Sequence, residues 1–81
     1  MIDRIDWQKA ELKKISIRID KHATSISLEQ AYIDILTHNA ERLALSFAAL
    51  VTLVDENRPA NINLSAALRI FALNLAKNFE A

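Results

Sequence analysis

Hydrophobic and polar positions alternate strictly in two short segments of the chain. Residues 14–20 (KISIRID) have isoleucine at positions 15, 17 and 19, whereas residues 24–28 (TSISL) have their core-type side chains at even positions. A period of two predicts a β-strand with one buried face. Because the parity changes between the segments, a turn or bulge is expected across residues 20–23. The two strands either form a hairpin with each other or each pair elsewhere.

A strand as short as residues 24–28 cannot stand alone. A backbone N–H or C=O group buried without a partner costs roughly 1–3 kcal/mol, so this segment requires another strand beside it. The sequence leaves open whether residues 14–20 or 24–28 form the central ribbon.

From Glu29 onward the apolar period becomes helical. The first helix is expected over about residues 29–43, with one apolar stripe. Ser46 is a suitable N-cap for a second helix at about residues 47–57. The single proline, Pro59, ends that helix in a loop.

A third helix begins after a cap at Asn63 or Ser65 and runs to about Asn78. It carries two apolar stripes, and the second helix also has an apolar face wider than a surface helix needs. A helix that is apolar on two sides is buried between partners. The pattern therefore favours contact with a second chain.

Local alternatives remain open at three places. Residues 1–14 form either a short helix capped by Asp6 or a disordered arm. Ser27 and Gln30 have the spacing of a capping box, which competes with a strand position for Ser27. The chain contains no glycine, so the first helix ends either at Asn39 or in a short loop near residues 43–45.

The composition excludes several ways of stabilising so small a domain. The 81 residues include no cysteine, and His22 and His38 share no metal-ligand spacing. Oligomerisation remains, and a hydrophobic content of 52% is high enough to supply an interface. We therefore expect one domain over residues 14–81, preceded by the arm or short helix at 1–13, in an obligate dimer.

Charge and motifs narrow the functional classes. Ten basic and ten acidic residues give no net charge, so no overall field marks nucleic acid or a membrane as the partner. The chain has no nucleophile–base pair or glycine-rich phosphate loop, and we predict neither an enzyme nor a cofactor. It has no signal peptide and no apolar run of bilayer length, so a cytoplasmic protein without membrane contact is expected.

Two runs of residues carry a family resemblance, TSISLE at 24–29 and NLSAALRIF at 63–71. With the helical positions between them, they make the chain similar to small bacterial ribbon-helix-helix domain proteins of the Arc and Met repressor superfamily. The resemblance covers roughly residues 14–73. It implies a mainly α fold with a short β ribbon and, here, an additional C-terminal helix. It also implies an intertwined homodimer whose strands pair antiparallel across a two-fold axis.

The resemblance further implies a DNA-binding transcription regulator or repressor of bacterial or phage origin. Its ribbon is expected to enter the major groove. The outward residues expected to face the bases are Ala23, Ser25 and Ser27. The residues expected to hold DNA phosphates, through side chains or the start of the second helix, are Arg18, Lys21, His22, Ser46 and Phe47.

The chain departs from the family pattern at several positions. Relatives commonly carry arginine at position 23 and glycine at position 21, where this chain has Ala23 and Lys21. Asn39 and Ala44 stand where an apolar residue and a glycine are usual. An arginine bidentate to guanine adds about 1–3 kcal/mol of discrimination, and the ribbon expected from this sequence lacks one.

The predicted dimer core draws on the ribbon and on all three helices. Its residues are Ile26, Leu28, Tyr32, Leu36, Leu50, Val54, Leu68 and Phe71. An alternative function is the same dimer used as a protein-interaction module, like an antitoxin or a phage or plasmid accessory protein, with weak or no DNA binding. The zero net charge, the small outward side chains and the broad apolar third helix favour that alternative.

Overall fold

A computed structural model describes the backbone of residues 2–80 and the side chains of residues 2–78. The predicted domain limits at residues 1 and 81 lie outside the described residues. Two short 3₁₀ turns, Ile2–Arg4 and Trp7–Ala10, precede the main elements. These are β1 (Leu12–Ile19), β2 (His22–Glu29), α1 (Gln30–Arg42), α2 (Phe47–Asn57) and α3 (Leu64–Glu80).

The two strands pair with each other as an antiparallel hairpin. Ile19 lies opposite His22, which leaves a two-residue turn of Asp20 and Lys21. Both turn residues have positive φ, 49° and 70°, as a type I′ turn requires, and the twist of that turn matches the strands. The expected turn is confirmed, and of the two pairing alternatives the hairpin forms. β2 therefore has a partner strand within its own chain, and its pairing along that edge does not require a second chain.

The inner face of the hairpin closes a core shared with the three helices. Ile15 lies opposite Ile26 in the register, and Ile26 and Leu28 are buried. The buried apolar residues are Ile26, Leu28, Leu36, Ala40, Leu50, Val51, Val54, Leu68 and Ala72. Six of the eight residues predicted for a dimer core are in this set, and Tyr32 and Phe71 pack against it. Their burial is thus explained within one chain, and contact with a second chain stays a prediction.

The first helix starts and ends without the side-chain cap expected for it. Glu29 occupies the N-cap position with extended backbone and no capping bond, so the capping box at Ser27 is wrong, because Ser27 remains in β2. At the other end, Leu45 N donates to Ala40 O at 2.9 Å and Ala44 N donates to Glu41 O at 3.1 Å. These two bonds form a Schellman motif with Ala44 in the left-handed conformation, φ 57°. The helix therefore ends in the loop near residues 43–45.

The second and third helices begin at side-chain caps. Ser46 Oγ accepts from Ala49 N at 3.0 Å, and Asn63 Oδ1 accepts from Ala66 N at 2.8 Å. The Ser46 cap is confirmed, and of the two candidates for α3 the cap is Asn63. The three helices pack against one another, with α3 and α1 also against β2, and α2 against β1.

The segment before the hairpin is ordered along α1. Asp6 caps the 3₁₀ turn by accepting from Gln8 N at 3.1 Å, so the short-helix alternative is the nearer one, in 3₁₀ form. Lys9 Nζ lies 2.6 Å from Asp34 Oδ2 on α1. The hydrogen bond from Lys9 lowers the pKa of the Asp34 carboxyl and raises the pKa of the Lys9 amine. β1 itself begins at Leu12, two residues before the predicted strand.

Candidate nucleic-acid interface

The outward side of the hairpin is a continuous polar surface that both strands build. The register places Lys14 opposite Ser27, Ser16 opposite Ser25, and Arg18 opposite Ala23. Five of these residues are exposed and Ser27 is half-buried. We call this set, Lys14, Ser16, Arg18, Ala23, Ser25 and Ser27, the ribbon face.

The geometry of the turn fixes how close these side chains lie. Ile19 and His22 flank a two-residue turn and form a hydrogen-bonded pair, so pairs one step away are non-hydrogen-bonded pairs. Such pairs have Cα atoms about 4.5 Å apart and side chains close together. A two-stranded ribbon of this kind fits the DNA major groove, which is about 12 Å wide.

Charge on the ribbon face is uniformly positive. Lys14 and Arg18 are its two ionisable residues. Arg18 Nη1 donates to the carbonyl oxygen of Lys21 at 3.3 Å, which places its guanidinium near the turn. Of the nearby acids, Asp20 is exposed in the turn next to Lys21, and Glu29 lies at the other end of the hairpin opposite Leu12. A chain with no net charge thus presents a locally basic ribbon.

The other residues predicted for phosphate binding lie in three different settings. Lys21 is exposed in the turn, beside Arg18. His22 is also exposed at the turn, but the alternation of β2 points it to the side of Thr24 and Ile26, away from the ribbon face. At the start of α2, Phe47 is half-buried against the core, and Ser46 is exposed with its hydroxyl used as the cap.

A groove of about 400 Å³, with both polar and apolar residues in its walls, runs beside the outer edge of β2, and we call it the β2–α3 groove. Its walls are residues 24–27 of β2 and the beginning of α3, including Asn63 and Ser65. Arg69, which also lines the groove, places Nε 2.9 Å from Glu29 Oε1. The hydrogen bond from Arg69 lowers the pKa of the Glu29 carboxyl. This ion pair connects the end of the hairpin to α3.

Sequence reasoning missed Lys14 and Ser16 as members of the ribbon face. Both are at even positions of a strand whose odd positions are apolar, so their outward direction was readable. The residues of β2 that lie opposite them could not be predicted, because the strand register depends on where the turn lies. Placing the turn at Asp20 and Lys21 would have supplied the register.

We searched the described part of the chain for a metal site and for a membrane-spanning helix. Within residues 2–80, no group of three or more His, Cys, Asp or Glu side chains is placed to hold a metal ion. In the same range, none of the helices has the length and hydropathy needed to cross a membrane.

A two-stranded ribbon followed by helices is the arrangement of ribbon-helix-helix proteins, and comparison with known proteins gives the same class. The family model of the ribbon-helix-helix domain matches residues 12–76, and the chain belongs to this family. Among solved structures, the chain is similar to an uncharacterized protein from Bordetella pertussis Tohama I, with a TM-score of 0.80 and 25% sequence identity. The match covers 96% of this chain and 66% of that one, so the chain spans slightly less than two thirds of its relative. No curated protein matches.

Proposed function

We propose that this protein is a DNA-binding transcription regulator that acts as a homodimer and inserts the ribbon face into the major groove. The observation that carries the proposal is the ribbon face itself, which is two strands wide, exposed and basic in a chain of zero net charge. The Ser25 and Ser27 hydroxyls donate to and accept from base edges, with Ala23 beside them. The groups that hold phosphates in this proposal are Lys14 and Lys21, His22 on the other side of the turn, and the start of α2 at Ser46 and Phe47.

Surface area supports the homodimer. The chain exposes 6001 Å², about 1,100 Å² more than the roughly 4,900 Å² typical of a monomer of 9.1 kDa. Its radius of gyration is 13.2 Å, against about 12 Å for a compact domain of this length. A standard interface removes about 800 Å² from each partner. The excess is therefore of the size that one interface with a second copy would cover.

We assign the contact with the second copy to an apolar groove between α2 and α3, which we call the helical groove. This helical groove has a volume of about 740 Å³, and Leu53 and Ile70, both exposed, stand on its walls. The one charged residue among its lining residues, Arg58, is bonded to Asp55 at 2.9 Å and to the Ile62 carbonyl oxygen at 2.6 Å. In a contact between two identical copies, the same side chains of both copies come close together. Two like charges in such a contact repel each other and weaken it. A patch without an unpaired charge avoids that cost.

The test is binding to duplex DNA from the protein's own locus at several salt concentrations. The logarithm of the affinity should fall linearly with the logarithm of the salt concentration, with a slope of about −0.9 per neutralised phosphate. Lys14→Ala should weaken binding to all duplexes and make the slope shallower by about 1.

Lys77→Ala is the matched control, because Lys77 is an exposed lysine on α3 rather than on the hairpin. Its slope should equal that of the wild type. A flat salt response of the wild type, or equal effects of the two lysine variants, would contradict the proposal.

The same helical groove favours one second candidate, the protein-interaction module. In that case the groove takes an apolar segment of another protein instead of a second copy. Such a protein would be a monomer by light scattering in isolation and would bind the locus DNA weakly or not at all.

A further inference from the structure

We infer that Arg18 of β1 is the residue that sets base specificity, by bidentate recognition of a guanine. This inference deepens the proposed function and rests on it. It gives Arg18 a different role from the phosphate contact that the sequence alone indicates. It also supplies from β1 the arginine that β2 lacks.

The register places Arg18 on the outward side, directly across from Ala23. In a non-hydrogen-bonded pair the two Cβ atoms lie about 4.5–5.5 Å apart, so a side chain rooted at either position covers the same part of the ribbon face. Ala23 contributes only a methyl group there. The long side chain of Arg18 therefore has the space above this pair to itself.

The direction of the side chain favours a base over a phosphate. Side chains on the outward side of a two-stranded ribbon stand roughly perpendicular to the sheet, and in the major groove that direction leads to the base edges. In the free protein Nη1 donates to the Lys21 carbonyl oxygen at 3.3 Å, which keeps the guanidinium at the turn end of the ribbon face. Recognition of a guanine exchanges this bond for two bonds to N7 and O6.

The chemistry of the neighbours makes Arg18 the discriminating group. Serine hydroxyls both donate and accept, so Ser16 and Ser25 tolerate several bases. Guanine presents two acceptors, N7 and O6, in the major groove, and the guanidinium fork matches both. Lys14 carries a compact charge without that planar geometry. Only Arg18 on this face has a donor pattern that one base satisfies better than the others.

The experiment selects duplexes from a random 20-base-pair library with the wild type and with three variants. The wild type should enrich a guanine at one position of each half-site. Arg18→Ala should bind the enriched duplex about 10- to 100-fold more weakly and should no longer enrich that guanine. Arg18→Lys keeps the charge and should also lose the guanine preference. The double variant Arg18→Ala/Ala23→Arg moves the arginine across the pair and should restore the preference.

Two measurements separate the possible outcomes. Thermal melting of each variant shows whether the hairpin domain still folds, and the salt slope on a duplex without the guanine measures phosphate contacts alone. Equal loss by Arg18→Ala on all duplexes, with a slope shallower by about 1, would show a phosphate contact and overturn this inference while leaving the proposed function intact. If the wild type binds no duplex even at low salt, both are overturned.

Discussion

At the scale of single residues, three positions between residues 2 and 80 adopt left-handed backbone without glycine. Asp20, Lys21 and Ala44 have φ of 49°, 70° and 57°. Aspartate tolerates this region because its short side chain can bond locally, but other L-residues lose roughly 1–2 kcal/mol. The family resemblance leads one to expect a glycine at the positions of Lys21 and Ala44. The turn and the helix end therefore have a backbone geometry that suits glycine, but they are occupied by residues with a Cβ atom.

Ala44→Gly should therefore stabilise the protein. Removing the Cβ atom relieves the left-handed strain, and the gain should be about 1 kcal/mol after the greater freedom of glycine in the unfolded chain is subtracted. For a domain of this size that is about 4–8 °C in Tm, measured by thermal and urea denaturation. Ala76→Gly, inside α3, is the control and should destabilise by about 0.5–1 kcal/mol. A lower stability of Ala44→Gly would show that the methyl group contributes packing instead.

At the scale of elements, the junction of β2 and α1 is stabilised by an ion pair with α3. Glu29 has no side-chain capping bond to α1, and its carboxylate bonds to Arg69 on α3. Because Arg69 lowers the pKa of the Glu29 carboxyl, the ionised form is favoured in the folded state. The stabilisation is present above the ordinary pKa and is lost as pH falls through the lowered one.

The contribution of this ion pair should consequently depend on pH in one direction. Glu29→Gln should be less stable than the wild type at pH 7, and the difference should shrink as pH falls below the ordinary value of 4.5. Urea denaturation across this range measures it. In an Arg69→Met background the same substitution should have little effect at pH 7, because the partner is gone. A difference that is constant with pH would mean that Glu29 acts through packing.

The helices and strands also differ in how well the sequence alone predicts them. The limits of α2 and the Ser46 cap follow from the local pattern, and the structure confirms both. The pairing of the strands does not follow, because alternation defines which way each side chain points but not which residue lies opposite. The pairs across the ribbon face, such as Arg18 with Ala23, could not be predicted for that reason. Leu50 and Leu68 were correctly expected to be buried, but periodicity alone cannot say whether one chain or two bury them.

At the scale of the whole molecule, one chain exposes more area than is typical of its mass. Of the nine large apolar side chains that are exposed in the described part of the chain, four line the helical groove, namely Leu43, Leu53, Ile62 and Ile70. The remaining exposed apolar side chains include Leu12, at the far end of the hairpin. The β2–α3 groove and the helical groove lie on different flanks of α3, because Ser65 and Arg69 line the first and Ile70 and Asn74 line the second. Ile70 therefore lies outside the lining of the β2–α3 groove.

Ile70→Asp should lower the molar mass in solution, because in the proposed contact between two copies it places two carboxylates of like charge close together. Leu12→Asp is a matched variant, since Leu12 and Ile70 are exposed to 58% and 59%. Light scattering over a range of protein concentrations measures the mass of both. Loss of the larger species in Leu12→Asp but not in Ile70→Asp would show that the copies meet along the hairpin. An unchanged mass in both would remove the helical groove from the interface.

The two-residue turn at Asp20 and Lys21 also has a kinetic consequence. A ribbon closed by neighbours in sequence forms by a first-order process, and isolated hairpins form in about 1–10 μs. A ribbon assembled from two chains would instead appear at a rate that rises with protein concentration. Relaxation after a laser temperature jump, which resolves microseconds, should show strand signal at a rate independent of protein concentration, ahead of any concentration-dependent association of chains. Each newly made chain would then have its ribbon face formed before it contacts any second chain.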